Sequence, residues 1–278
     1  MRSLASPKVD VGDVLDLSGT SGRIASVHPY RGTLLASEVD YRQAMATPDV
    51  HVVPLAIDGI STSVHATIKW AYKTKIVDGS ARDVYELLQS ASGGRCPNCL
   101  VRDSQQLDHY LPKETYPGLA LHPANLVPIC SWCNHRKRQK VASTLDDQFL
   151  HPYFDDLGPF TWLAAEVVEE PLAPLRYSVR SSPAWSETMS NRVKNHFERY
   201  DLAHLFAGEA ATLLASISYR LSRSSQSDRE ALLLEEADSY WRGERQPWLA
   251  AAYEAWGNNE WFCAGGWLSG PEAKSDLE

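Results

Sequence analysis

Cys96-Pro-Asn-Cys99 and Cys130-Ser-Trp-Cys133-Asn134-His135, with Leu107-Asp108-His109 and Asn125-Leu126 between them, decide how this chain is read. Each Cys-x-x-Cys pair puts two thiolates on one tight turn, and two such turns supply the four ligands of a tetrahedral zinc site. A site closed by four thiolates keeps no open position, so its role is structural. Zinc binding then contributes folding free energy to a segment with little apolar core of its own. The fifth cysteine, Cys263, lies far along the chain and reads as a buried apolar residue. The N-terminal stretch lacks the apolar block of a signal peptide, so a cytoplasmic location is expected and a disulfide framework is not.

Outward from this segment, the charge is unevenly spread. The 278 residues carry a formal net charge of −8, which taken whole points away from nucleic acid. Residues 1–92 hold 9 basic and 10 acidic side chains, residues 93–140 hold 7 and 3, and residues 141–278 hold 11 and 22. The net charges are therefore −1, +4 and −11. The one basic segment is the one that carries four of the five cysteines. Arg136, Lys137, Arg138 and Lys140 crowd its end, with Arg95, Arg102 and Lys113 nearby, a pattern suited to salt-sensitive contacts with phosphates. Lys137 either neutralises a phosphate or solvates a helix face. No apolar run approaches the roughly 20 residues of a membrane span, so no membrane partner is expected.

Taken singly, Asp108 is a turn acid, His109 a surface histidine and Asn134 the N-cap of a helix running to Lys140. Together between two thiolate turns they read differently. An Asp oxygen on a hard cation and an imidazole on a water flank one reaction centre, and a side-chain oxygen at a helix start faces it.

This ordered set resembles the HNH endonucleases. Their pattern runs from a Cys-x-x-Cys turn through Asp-His before a proline-containing loop, then Asn-Leu, then Cys-x-x-Cys followed by His or Asn and a nearby Lys. The chain matches at Cys96, Cys99, Asp108, His109, Pro112, Asn125, Leu126, Cys130, Cys133, Asn134 and Lys137. The resemblance covers about a fifth of the chain. It implies a ββα-metal core in which a hairpin packs on one helix. It also implies that His109 is the general base, that Asn125 orients the His109 ring through a hydrogen bond, and that Asp108 and Asn134 hold one Mg²⁺ or Mn²⁺. His135 is the fallback ligand, since neighbours on a helix diverge by roughly 100°. The final position is Asn rather than His, as in resolvases of the endonuclease VII type. His-Pro-Tyr-Phe-Asp at 151–155 also occurs after the core in relatives of the HNH subunit of Septu-type phage-defence systems, although a loop packed on the zinc domain is the role expected first. Such systems often pair the nuclease with an ATPase, so an ATPase or other defence-system subunit is expected to engage the acidic C-terminal part. His122 reads as a loop residue rather than a catalyst.

The fold class expected for the whole is α+β. A mixed N-terminal region (1–92) precedes an HNH domain with structural zinc (93–150) and a mainly helical, acidic, Trp-rich domain (151–278). Residues 1–30 show little periodicity. Val50–Leu55 reads as a short β-run and residues 64–76 as a loose helix. Ser80 with Asp83 has the spacing of a capping box for a helix over 81–91 that buries Val84, Leu87 and Leu88. One or two strands are expected over 160–180, helices over 187–223 and 228–256 with a break at Gln246-Pro247, and a frayed acidic tail from Pro271. Seven of the nine tryptophans follow residue 140 and are expected in that domain's core.

The leading function is a metal-dependent endonuclease on DNA with antiviral purpose. The alternative is a zinc-ribbon binding module, for nucleic acid or protein, whose HNH residues are vestigial. A base, an orienting Asn and two cation ligands favour the enzyme, because a binding module needs none of them.

Overall fold

The computed structural model describes residues 1–268, so the expected tail from Pro271 lies outside the described residues. The chain is mixed α+β and divides into two compact units. The first comprises Met1–Leu157 with Asn191–Tyr200, and the second comprises Gly158–Ser190 with the chain from Asp201. The sequence boundary at 92/93 falls inside the first unit, and that at 150/151 falls close to its end at Leu157.

The first unit is built from helices around a two-stranded sheet. Helix α1 (Val11–Ser18) starts in a capping box: the Asp10 carboxylate accepts from Gly12 and Asp13 N–H, and Asp13 accepts from Asp10 N–H. It buries Val11, Val14 and Leu15 against α2 (Arg31–Ala46). This helix, absent from the sequence expectation, was announced by Asp10-x-x-Asp13. Helix α3 (Thr62–Ala71) runs into a wide turn of π type over Tyr72–Val77, in keeping with the loose helical spacing there.

Helix α4 (Arg82–Ser90) forms without the expected capping box. The Ala81 N–H is taken by Lys75 O and the Arg82 N–H by Gly79 O, so the helix starts after Ala81 and Ser80 is too early to cap it. Val84 and Leu88 are buried as expected, but Leu87 is 52% exposed. The β-run at Val50 is corrected too. Val50–Val52 form a 3₁₀ turn because Asp49 accepts from His51 N–H and, among the described residues, no strand pairs with it.

Strands β1 (Gln106–His109) and β2 (Leu126–Ile129) pair antiparallel, with His109 opposite Leu126 and Asp108 opposite Val127. Residues 110–125 join them through two 3₁₀ turns, and β2 leads directly into helix α5 (Ser131–Lys137). With only two strands, carbonyls on both outer edges need partners. Three side chains supply them: Tyr72 Oη donates to Leu107 O (3.2 Å), Lys137 Nζ to His109 O (2.8 Å) and Tyr153 Oη to Leu126 O (2.9 Å). Pro128 is tolerated in so narrow a sheet because each strand has a free edge.

The second unit carries the hairpin β3 (Leu163–Val167) and β4 (Leu175–Val179), as expected over 160–180. Helix α6 (Glu187–Arg199) passes from this unit into the first at Asn191. Helices α7 (Leu202–Ser222), α8 (Gln226–Ser239), α9 (Pro247–Gly257) and α10 (Glu260–Cys263) complete it. Pro247 opens α9 at its first position, where its missing N–H costs nothing. Trp162, Trp248, Trp256 and Trp267 are buried, while Trp185, Trp241 and Trp261 are half-buried. Trp248 stacks on Phe206 and Trp256 on Phe262. Among the described residues no helix is long and apolar enough to cross a membrane.

Candidate functional site

The four cysteines converge. Cys96, Cys99, Cys130 and Cys133 are buried, and their sulfurs all lie within 4.8 Å of one another. The Cys99 and Cys130 sulfurs are 3.9 Å apart. A tetrahedral zinc with Zn–S near 2.3 Å requires S–S separations of about 3.8 Å, so the cluster fits one zinc ion in size as well as in softness of donor. Hydrogen bonds from neighbouring sulfurs draw Cys99 and Cys130 below the usual thiol range, while burial pushes Cys96 and Cys133 above it; a bound zinc ion would favour the thiolate at all four. Cys263 is buried elsewhere, as expected.

Each knuckle is shaped locally. In the first, Leu100 N–H donates to Cys96 O, Cys96 N–H donates to Arg102 O, and Leu100 takes φ +63° to close the turn. In the second, Cys130 is itself the N-cap of α5, its sulfur accepting the Cys133 N–H at 3.4 Å. This corrects the expectation for Asn134. The helix begins at Ser131 and ends at Lys137, so Asn134 sits inside it, half-buried, one turn before Lys137 on the same face. His135 is exposed.

His109 and Asp108 alternate on β1, the imidazole inward and the carboxylate only partly covered. The His109 ring is 5% exposed and packs edge-on to Tyr72 at 4.4 Å. Its Nε2 lies 3.0 Å from Ala120 O. A carbonyl only accepts, so Nε2 carries the proton and Nδ1 carries the lone pair. Burial drives the imidazole down to about 3; the Ala120 bond opposes this, and Lys113 and Lys137 add to it. The ring is therefore neutral throughout the neutral range.

Asn125 does not touch that ring, contrary to expectation. Its Oδ1 accepts from Leu111 N–H at 2.8 Å, and its Nδ2 donates to Leu111 O (3.0 Å) and Leu119 O (3.4 Å). It clasps the loop that presents the Ala120 carbonyl and so orients His109 at one remove. The residue lies at the foot of the loop with no exposed surface, where only backbone groups are in reach.

Lys137 departs from both readings offered by the sequence. It is 2% exposed, neither a free phosphate contact nor a solvated charge. Its Nζ donates to His109 O and lies 2.7 Å from Asp108 Oδ2. The ion pair leaves that buried oxygen without a well-aligned hydrogen bond. The lysine thus ties α5 to β1 at Asp108 and His109. The remaining cations lie outside: Arg138 and Lys140 are exposed, Arg136 lies over the Trp132 ring at 3.4 Å, and Lys113 lies 4.9 Å from the Tyr72 ring.

Several supports were missed in the sequence. Arg192 on α6 makes a two-pronged ion pair with Asp155 (2.7 and 2.6 Å) and donates to Gln148 O and Phe149 O. His196 bonds the knuckle carbonyl of Asn98 at 3.0 Å, and Trp132 Nε1 donates to Tyr200 O. Nothing local links Arg192, His196 or Tyr200 to the cysteines, which precede them by 59 residues or more. The buried carboxylate of Glu38 accepts from Val11 N–H and Ala124 N–H and pairs with Arg42, tying α2 to the loop. His-Pro-Tyr-Phe-Asp is a packed clasp: Asp155 caps the His151 N–H, Tyr153 caps Leu126, and the His151 ring meets Tyr41 Oη at 3.0 Å. His122 is fully buried, and neither ring nitrogen has a hydrogen-bond partner.

As a donor set, Asp108 and Asn134 offer a carboxylate and an amide oxygen, which suit a hard cation such as Mg²⁺ or Mn²⁺. Among the described residues, the cysteines form the one cluster of three or more His, Cys, Asp or Glu ligands. A cation at Asp108 would meet the Lys137 ammonium as its neighbour.

Two curated proteins resemble parts of this chain. Protein ea31 of Escherichia phage lambda is 29% identical over 141 residues, 49% of this chain and 48% of ea31. Septu protein PtuB of Bacillus thuringiensis is 36% identical over 55 residues, 18% of this chain and 21% of PtuB. The chain thus spans about half or less of the length of the relatives it matches. No family model matches it, and no solved structure does.

Proposed function

We propose that this chain is a metal-dependent endonuclease of the HNH type that hydrolyses phosphodiester bonds in DNA and serves antiviral defence in the cytoplasm. The observation that carries this reading is the state of His109: a neutral imidazole fixed through Nε2 by the Ala120 carbonyl, on the strand that also carries Asp108. In the proposed reaction a water loses its proton to Nδ1 and its oxygen attacks phosphorus, and the 3′ oxygen leaves. The negative charge of the phosphodiester beside the ring raises its proton affinity from the low value set by burial. Asp108 and Asn134 would hold the hard cation, with His135 as the fallback ligand. When bound, that cation supplies charge stabilisation to the phosphoryl oxygens and the leaving group.

The ββα-metal reading of β1, β2 and α5 belongs to this proposal. It is supported by their order in the chain and by the four-thiolate cluster that braces them. Partial similarity to Septu protein PtuB supports the defence role. Arg138 and Lys140, with Arg136 and Lys113 behind them, are proposed to meet the DNA backbone. The acidic part from residue 151 is proposed to face an ATPase or other defence-system subunit, which co-purification with the products of neighbouring genes would test.

One observation favours the alternative of a zinc-dependent binding module: the Asp108 carboxylate is already paired with Lys137. Nicking of supercoiled plasmid with Mg²⁺ and Mn²⁺ separates the two. The parent protein is expected to cleave and His109→Ala to lose about 10²–10⁴-fold in rate. Equal cleavage by both proteins, or none by either, defeats the nuclease reading.

A further inference from the structure

The charges around Asp108 do not add up to a site for a free dication. Asp108 contributes one negative charge and Lys137, 2.7 Å away, cancels it. Asn134 is neutral, and His109 is buried and uncharged. Lys113, over the Tyr72 ring that itself packs on His109, adds a second positive charge to the same neighbourhood. Lys137 cannot swing aside at little cost, because its Nζ also serves His109 O and its side chain is 3% exposed. A hard cation without a surplus of negative charge from its ligands keeps its hydration shell. A backbone phosphate of a nucleic acid would supply the missing charge.

We infer that Lys137 is an internal counter-ion that makes cation binding conditional on substrate: the dication enters together with a nucleic-acid phosphate and not before it. Lys137 is thus a positioning residue, acting through Asp108 and the His109 carbonyl rather than on the phosphate. The inference rests on the metal-nuclease reading above and adds an order of binding to it.

The test is a Mn²⁺ titration of the full chain followed by electron paramagnetic resonance. It is run with and without a short phosphorothioate DNA duplex, after subtracting the Mn²⁺ held by the duplex alone. Wild type is expected to bind Mn²⁺ at least about tenfold more tightly with the duplex than without it. Lys137→Met is expected to bind Mn²⁺ without the duplex at least about tenfold more tightly than wild type does, with its zinc content unchanged. Lys137→Arg keeps the charge and is expected to follow wild type. Wild type that binds equally well without duplex overturns the inference and leaves the nuclease reading standing, as does a folded Lys137→Met no tighter than wild type. Should Lys137→Met fail to fold, the wild-type comparison decides alone. No Mn²⁺ bound under any condition overturns both readings.

Discussion

The carboxamide of Asn125 closes on both backbone polar groups of a single residue, Leu111, accepting from its N–H and donating to its carbonyl. These bonds draw the two ends of the β1–β2 loop together, and a third, to Leu119 O, ties in its middle. Asn125→Ala leaves these groups buried without partners and is expected to cost about 2–4 kcal/mol. Urea unfolding of the zinc-loaded protein measures it, and a loss below about 0.5 kcal/mol contradicts the clasp. Cleavage should fall in the same variant, because the Ala120 carbonyl that orients His109 belongs to the same loop.

The Arg192–Asp155 pair is almost wholly buried, at 1% and 3% side-chain exposure. Removing one partner strands the other charge, so Arg192→Met is expected to destabilise by about 3–5 kcal/mol. Adding Asp155→Asn should recover part of that loss, since no net charge then stays buried. Denaturation midpoints of the three variants decide it; full additivity of the two single losses argues against a coupled pair.

Acid sensitivity follows from the buried histidines. Burial drives His109 and His122 down to about 3, and His151 well below its ordinary 6.5. Arg42 adds to the effect at His122, and Arg192 and Lys137 add to it at His151. Below 6.5 the unfolded chain binds protons that the folded one refuses. Stability is therefore whole above about pH 6.5 and falls as the pH drops toward 3, by about 1.4 kcal/mol per pH unit for each histidine at full slope. Unfolding midpoints between pH 7.5 and 5 should decline steeply. His122→Leu should flatten the decline by one histidine's share and cost little at pH 7.5, since its ring nitrogens have no partners to lose. An unchanged slope in that variant refutes the assignment.

Metal analysis of the purified chain is expected to give one zinc. Cys130→Ser should lose that zinc and much of the structure around α5, whereas Cys263→Ser should keep both. Zinc retained at full occupancy by Cys130→Ser contradicts the four-thiolate site.

What the sequence disclosed is what local spacing encodes. The two Cys-x-x-Cys turns state their partners by chemistry alone, whereas His109, read singly as a surface histidine, is buried by the alternation of the strand. The start of α5 was misplaced because a cysteine sulfur took the capping role usually held by Asn or Ser, leaving Asn134 in the helix interior. Lys137 was misjudged because long basic side chains are seldom buried, and only its place opposite the sheet edge reveals the carbonyl it serves. Leu87 was misjudged because apolar spacing on a short helix defines a stripe but not its width. Arg192, His196 and the reach of Glu38 to Val11 and Ala124 were invisible for a different reason: these partners meet across a long stretch of chain, and no periodicity records such meetings.

Helix α5 has only seven residues, about 10 Å of rise and too short to persist alone in water. It is pinned at its first turn by the Cys130 sulfur and at its last residue by Lys137 on His109 and Asp108. A rod held at both ends has no independent motion. A displacement of the thiolate centre, by strain, by loss of its ion or by a partner pressing on the knuckle, would pass along it to the Asp108 carboxylate and the His109 carbonyl. The centre that does no chemistry is in this way mechanically linked to the residues proposed to do it.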